Sequence, residues 1–262
     1  MIKIGITRKR SKKLKYVIRD GRSAQDIRAF EALNKKIIAC RKCPRLVAWR
    51  EEVALFKRKA YQDWDYWGKP VPGFGDRKGR VLVVGLAPGA HGSNRTGRMF
   101  TGDGSGGFLY PALYRAGFAS RPQSLNRGDG LTLQDMYITA SVRCAPPGNK
   151  PTPEELDNCQ PYLEHEIALL EPKVIVVLGR IAFERILRIS YPKMDRTMQT
   201  IKRPPSLVFA HGAVYKLRSD LPGSRPWLIC SYHPSQQNTL TGKLTLEMFD
   251  QTWVKARELI GA

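Results

Sequence analysis

The chain has 262 residues, with 44 lysines and arginines against 23 aspartates and glutamates, a net charge of +21. That length buries one good α/β core, and no run of about 18 apolar residues is present to span a bilayer. The charge exceeds what solubility requires and points to a polyanionic partner, nucleic acid before an anionic membrane surface.

Residues 1–22 read as a basic arm (Lys3, Arg8, Lys9, Arg10, Lys12, Lys13, Lys15) without the apolar region of a secretory signal. A cytosolic protein is expected, with a single domain over residues 23–262. Residues 24–39 carry an amphipathic helical pattern (Ile27, Phe30, Leu33, Ile37, Ile38) leading to Cys40, and a second helix is expected from Leu46 to Ala60. Tyr61, Trp64, Tyr66 and Trp67 follow, either to stack on bases or to wall a core or pocket.

Val81 to Leu86 is an apolar, β-branched run that predicts a strand buried on both faces. A loop to Asp103 follows, in which Gly85, Gly89, Gly92, Gly97 and Gly102 punctuate His91, Asn94, Arg95 and Arg98. Gly107–Ala116 reads as a helix, Met136–Val142 as a strand and Arg143–Pro153 as a loop. A helix then runs from Pro153 to Leu170, with Thr152 as its cap and Pro153 in its first turn. Lys173–Leu178 is a strand, Arg180–Ile189 a helix, 190–225 irregular, Trp227–Tyr232 a strand and Leu246–Ile260 a closing helix. Four apolar strands alternating with helices predict a three-layer α/β sandwich with a central four-stranded parallel sheet flanked by helices. Ligands of such sheets bind beyond the carboxyl ends of the strands, which puts the glycine loop where chemistry is expected.

Five cysteines are an odd number for a disulfide framework. Cys40 and Cys43 form a C-x2-C pair, Cys144 and Cys159 stand fourteen residues apart, and Cys230 sits in an apolar run as a small hydrophobe. Four thiolates suit zinc or an iron–sulfur cluster, and the wide second spacing favours [4Fe–4S] over zinc, with unliganded thiols as the remaining alternative. The cysteine site is expected to lie away from the glycine loop, clamping the amino-terminal helices.

Three stretches carry a family resemblance: GLAPGAHGSNRTGRMFTGD at 85–103, VRCAPPGNKPTPEE at 142–155 and HPSQQNT at 233–239, together with Cys40, Cys43, Cys144 and Cys159. The chain resembles the family 5, or type B, uracil-DNA glycosylases. The resemblance implies a [4Fe–4S] cluster on those cysteines. It also implies removal of uracil and other deaminated or damaged bases from DNA, and so the start of base excision repair.

Breaking a glycosidic bond to a base puts positive charge on the sugar and negative charge on the leaving base, which must first be flipped from the stack. Phe100 is expected to stack on the flipped base and His233 to donate to its carbonyl, with backbone amides around Gly85, Ala87 and Gly89 completing an anion pocket. Leu86 and Ala87 cannot polarise water, so Asp103 is the first candidate to orient it and Asn149 the second. No lysine stands out as a Schiff-base nucleophile, which predicts a monofunctional enzyme without lyase activity. Ser235, Gln236, Gln237 and Asn238 are expected at phosphates and Leu240 in the gap left by the flipped base. Arg95, Arg98, Lys150 and Lys243 are expected as further phosphate contacts, and the enzyme is expected to work as a monomer near the nucleoid. The competing reading is a non-catalytic, metal-containing nucleic-acid-binding protein, which leaves the glycine loop and His-Pro-Ser unexplained.

Overall fold

The computed structural model describes residues 24–191, 203–218 and 225–261. The basic arm lies outside them. The apolar runs become four parallel strands: β2 (Val81–Gly85), β3 (Met136–Ala140) and β4 (Val174–Leu178) are buried throughout, and β6 (Trp227–Ser231) is buried after its first residue. Strands without polar alternation are what a sheet covered on both faces requires. Two short strands extend the edges, β1 (Phe74–Gly75) antiparallel to β3 and β5 (Val214–Lys216) antiparallel to β6. The sheet order is β1-β3-β2-β4-β6-β5, so the expected four-stranded parallel sheet is corrected to a six-stranded mixed one. Both edge strands are short and incompletely buried, which leaves no run or alternation to read. β5 also falls inside the stretch expected to be irregular.

Alternate residues of each strand feed opposite layers. Val81, Val83, Val176 and Ile229 pack with Leu109 and Leu113 of α4 (Gly104–Arg115) and with Phe249 and Trp253 of α8 (Leu246–Ile260). Leu82, Val84, Val177 and Leu228 face Phe30 of α1 (Ala24–Ile38), Leu163 and Ile167 of α5 (Pro153–Leu170) and Phe183 and Ile186 of α6 (Arg180–Ser190). Each such side chain contributes about 1.5–3 kcal/mol through burial. The α5 start is a full capping box: Thr152 accepts from the Glu155 amide while the Glu155 carboxylate accepts from the Thr152 amide. Helix α2 (Pro44–Leu55) ends earlier than its basic pattern suggests, and Lys59–Tyr61 forms a separate single turn. Among the described residues no helix is long and apolar enough to cross a membrane.

Strand β2 is central. The chain passes from it to β3 on one side and then to β4 on the other, so connections leave the sheet in opposite directions. That reversal opens a crevice at the carboxyl edge, beside the glycine loop.

Candidate active site

The loop leaves β2 at Gly85, held by the Ser141 and Val142 amides, which donate to the Gly85 and Leu86 carbonyls. Gly85 is forced by packing: a Cβ there would lie 2.7 Å from the Phe100 ring. Phe100 itself has φ 53°, a left-handed backbone that a bulky residue rarely adopts. Such strain costs on the order of 1–3 kcal/mol and is kept where surrounding structure imposes it. Gly106 makes room for that backbone, since any side chain there would collide with the Phe100 carbonyl.

Asp103 is the N-cap of α4, its Oδ1 accepting from the Gly106 amide at 3.0 Å. The cap explains why α4 begins at Gly104, ahead of the expected Gly107. It fixes one oxygen and leaves Oδ2 against the turn at Gly89–Gly92, where a Cβ on Gly92 would strike it. Burial raises the Asp103 pKa, outweighing the amides of Gly106 and Ser105 and the charge of Arg95, which lower it.

After β6, the His233 ring lies 5.9 Å from that of Phe100, and its Cβ is 3.5 Å from the Cβ position of Gly179 at the end of β4. Burial pushes its pKa down to about 4, so a neutral imidazole faces the crevice at physiological pH. Asn238 fixes the loop by donating to the His233 carbonyl at 2.8 Å, and Ser235 caps α7 (Gln236–Leu240) by accepting from the Asn238 amide. A Cβ on Gly104 would lie 2.8 Å from Gln236 Cγ, so the two loops touch beside Asp103. The structure thus gathers Gly85, Phe100, Asp103, His233 and Gln236. Asn149 is exposed in a tight turn with φ 57°, and among the described residues no contact joins it to that group.

A match to the model of the uracil DNA glycosylase superfamily covers residues 72–257. The chain belongs to the uracil-DNA glycosylase superfamily. It is 53% identical over 232 residues to a type-5 uracil-DNA glycosylase of Thermus thermophilus, covering 88% of this chain and 98% of the relative. Identity to the type-5 uracil-DNA glycosylase of Mycobacterium leprae is 50% over 231 residues, covering 87% and 95% of the two chains. A type-4 uracil-DNA glycosylase of Archaeoglobus fulgidus is 30% identical over 234 residues, 89% of this chain and 94% of the relative.

Two of the expected phosphate contacts of this glycosylase are corrected. Arg95 is buried, its guanidinium 4.0 Å from both the Tyr61 and Trp64 rings and donating to the His91 and Gly102 carbonyls. Arg98 is buried in a two-pronged ion pair with Asp129 and donates to Ser124 and Thr101. Neither can reach a phosphate. The aromatic segment therefore walls the loop: Trp67 donates its amide to the Arg95 carbonyl, and Tyr66 hydrogen bonds to His91 Nδ1 at 3.1 Å. Ser235 and Asn238 brace their own loop, with the Ser235 hydroxyl accepting from the Asn238 amide and keeping its own O–H for a further acceptor. Lys150, Gln236, Gln237 and Lys243 are exposed, as is Leu240 at 83%. Sequence reasoning missed Arg127, an exposed guanidinium laid 4.3 Å over the Trp67 ring at Gly97. Its signal, one arginine in a polar loop, is too weak to find.

Cys40, Cys43, Cys144 and Cys159 line one cavity with Arg50, Arg143, Asn158 and Tyr162. Arg50 donates to Cys144 Sγ at 2.9 Å and Asn158 to Cys43 Sγ at 3.6 Å. The buried guanidinium of Arg50, donating to one of the four thiols, fits an anionic cluster whose thiolates need compensating positive charge, while that of Arg143 is paired with Glu166. Among the described residues no group of three or more His, Cys, Asp or Glu side chains is placed to hold a metal ion. The cavity is not remote from the glycine loop as expected. Ala87, placed with the base on sequence grounds, packs its methyl on the Cys43–Leu46–Val142–Cys144–Cys159 cluster, leaving only its backbone for a base.

Proposed function

We propose that this superfamily member is a monofunctional, type-5-like glycosylase that removes uracil and other deaminated bases from DNA. It hydrolyses the N-glycosidic bond, leaves the sugar–phosphate chain intact and so starts base excision repair in the cytoplasm, acting as a monomer. The observation that carries the reading is the meeting of Phe100, His233 and Asp103 at the carboxyl edge of β2. A base flipped into that crevice stacks on Phe100. The neutral His233 imidazole donates to its carbonyl oxygen as the C–N bond breaks and charge moves onto the ring. Backbone amides following Gly85 add further donors. Oδ2 of Asp103 orients a water whose oxygen bonds to the sugar C1′. The water's proton passes to solvent, and the C–N bond breaks with its electron pair on the base, whose anion solvent then protonates. Asn149, on its exposed turn, is better suited to the DNA strand than to the water.

We further infer that Cys40, Cys43, Cys144 and Cys159 hold a [4Fe–4S] cluster, which supplies structural cross-linking between the start of α2, the β3 loop and α5. Gln236, Gln237, Leu240, Lys150, Lys243 and Arg127 form the DNA face, with Leu240 filling the vacated stack. Incubation with a uracil-containing duplex tests the enzyme reading. Strand breaks should appear only after alkali treatment, and the purified protein should absorb near 400 nm. Intact strands after alkali, despite tight binding, would leave a binding protein; breaks without alkali would contradict the monofunctional reading.

A further inference from the structure

Asn94 is the fully buried polar side chain of the glycine loop that bonds to α2, whereas Thr101 and Arg98 bond to Ser124 and Asp129. Its exposure is 0%, and its Nδ2 donates to the Arg50 carbonyl in α2 at 3.1 Å while its Oδ1 has no partner. Its backbone is tied down as well: the Asn94 amide donates to the Gly89 carbonyl, and its carbonyl accepts from Gly68. Asn94 belongs to α3 (Ser93–Thr96), a single turn whose cap is Gly92, the residue that Asp103 Oδ2 rests against. On the other side, Arg50 is 2% exposed, and its guanidinium reaches Cys144 Sγ and the Cys40 carbonyl. A continuous path of close contacts therefore runs from the cysteine cavity through Arg50 and Asn94 to the seat of Asp103.

We propose that Asn94 is a positioning residue that fastens the Asp103 turn to α2, so that the cysteine cavity anchors the water-orienting carboxylate through Arg50. The proposal rests on the glycosylase reading for its consequence, but the strut itself is a property of the free protein. A buried amide donor is costly to leave out, because the Arg50 carbonyl then keeps only its bond within α2 and the loop loses its tie to that helix in a site closed to water. A carboxylate displaced by about 1 Å costs on the order of 100-fold in rate, while DNA contacts made elsewhere are untouched.

The test uses full-length protein as purified, with Asn94→Ala, Asn94→Asp and, as a control, Ile186→Val in the opposite core layer. Both Asn94 variants should speed amide exchange over residues 92–97 by about tenfold or more, read without DNA. Single-turnover uracil release should fall by about 10- to 100-fold, while affinity for the same duplex changes less than about threefold. Ile186→Val should lower Tm without slowing release. Arg50→Gln, which keeps the main-chain carbonyl, should speed the same amides more mildly. Wild-type exchange over 92–97 in both Asn94 variants overturns the proposal, as does a rate within twofold of wild type. Unchanged exchange in Arg50→Gln overturns the link to the cysteine cavity. A wild-type protein that releases no base would refute the glycosylase reading, with the exchange data still deciding the strut.

Discussion

The two loops that meet at Gly104 spend their polar side chains in opposite ways. In the loop from Gly85 to Asp103, Asn94, Arg95, Thr96, Arg98 and Thr101 are all buried, and their bonds end on the loop itself or on the elements packed over it. In the loop after β6, Gln236, Gln237, Leu240 and Lys243 face solvent, with Asn238 and Ser235 bracing it from within. The first loop is a frame that holds a strained Phe100 and a capping Asp103 in place. The second presents its groups to solvent, where the proposed function puts the DNA. Residue type alone does not separate the two roles: Arg98 and Lys243 are both cations near the crevice, and only burial and partners tell frame from contact.

The largest expected effect outside Asp103 is on His233, the one side chain of the second loop assigned to the chemistry. His233→Ala should slow single-turnover uracil release by about 100- to 1000-fold, the usual cost of one donor at a developing anion. Equal loss from Gln237→Ala would erase the distinction between the braced and the solvent-facing parts of that loop.

Next comes the frame itself. Asp129→Asn leaves Arg98 buried without its counter-charge and should cost about 3–5 kcal/mol in urea unfolding. Burial alone would raise the Asp129 pKa, but Arg98 and the amides of Leu131 and Leu125 hold it far below the usual range. The sign follows: a depressed carboxyl stabilises the fold above about pH 4, its unfolded value, and that contribution is lost as pH falls toward the folded value. An Asp129→Asn protein as stable as wild type would remove the frame argument.

A smaller change is expected with pH. Asp103 must be ionised to orient water, and its pKa is raised by burial. The rate of release should therefore fall on acidification through a pKa above the ordinary aspartate value of about 3.9. His233, already neutral, should add no limb near the ordinary histidine value of about 6.5. A limb there that vanishes in His233→Ala would contradict the neutral donor.

The smallest effects belong to the exposed cations. Lys243→Ala and Arg127→Ala should each reduce the slope of log affinity against log salt by about 1. Arg95→Ala should leave the slope unchanged while lowering Tm, since that guanidinium is enclosed by Tyr61 and Trp64. A slope change for Arg95 equal to that for Lys243 would reverse the assignment.

The core of the fold was legible because its strands are uninterrupted apolar runs and α5 and α8 carry explicit caps at Thr152 and Thr245. The edge strands were not, since two or three half-exposed residues in β1 and β5 make no pattern. At the site, the sequence names Phe100, His233 and Asp103, and the structure brings the first two rings to 5.9 Å and seats Asp103 as the cap of α4, while their roles belong to the proposed function. The fate of Arg95 and Arg98 was not legible, because their partners, Tyr61, Trp64 and Asp129, lie about thirty residues away and only folding brings them together. The nearness of Ala87 to the cysteine cavity was hidden for the same reason.

Single-turnover release of uracil by Asp103→Ala beside wild type tests the central claim most directly. The variant should bind the duplex within about threefold of wild type and release base about 100- to 10,000-fold more slowly, the range for a lost acid–base group. Release at the wild-type rate would contradict the account, because the carboxylate seated on Gly89 and Gly92 would then have no part in directing the water.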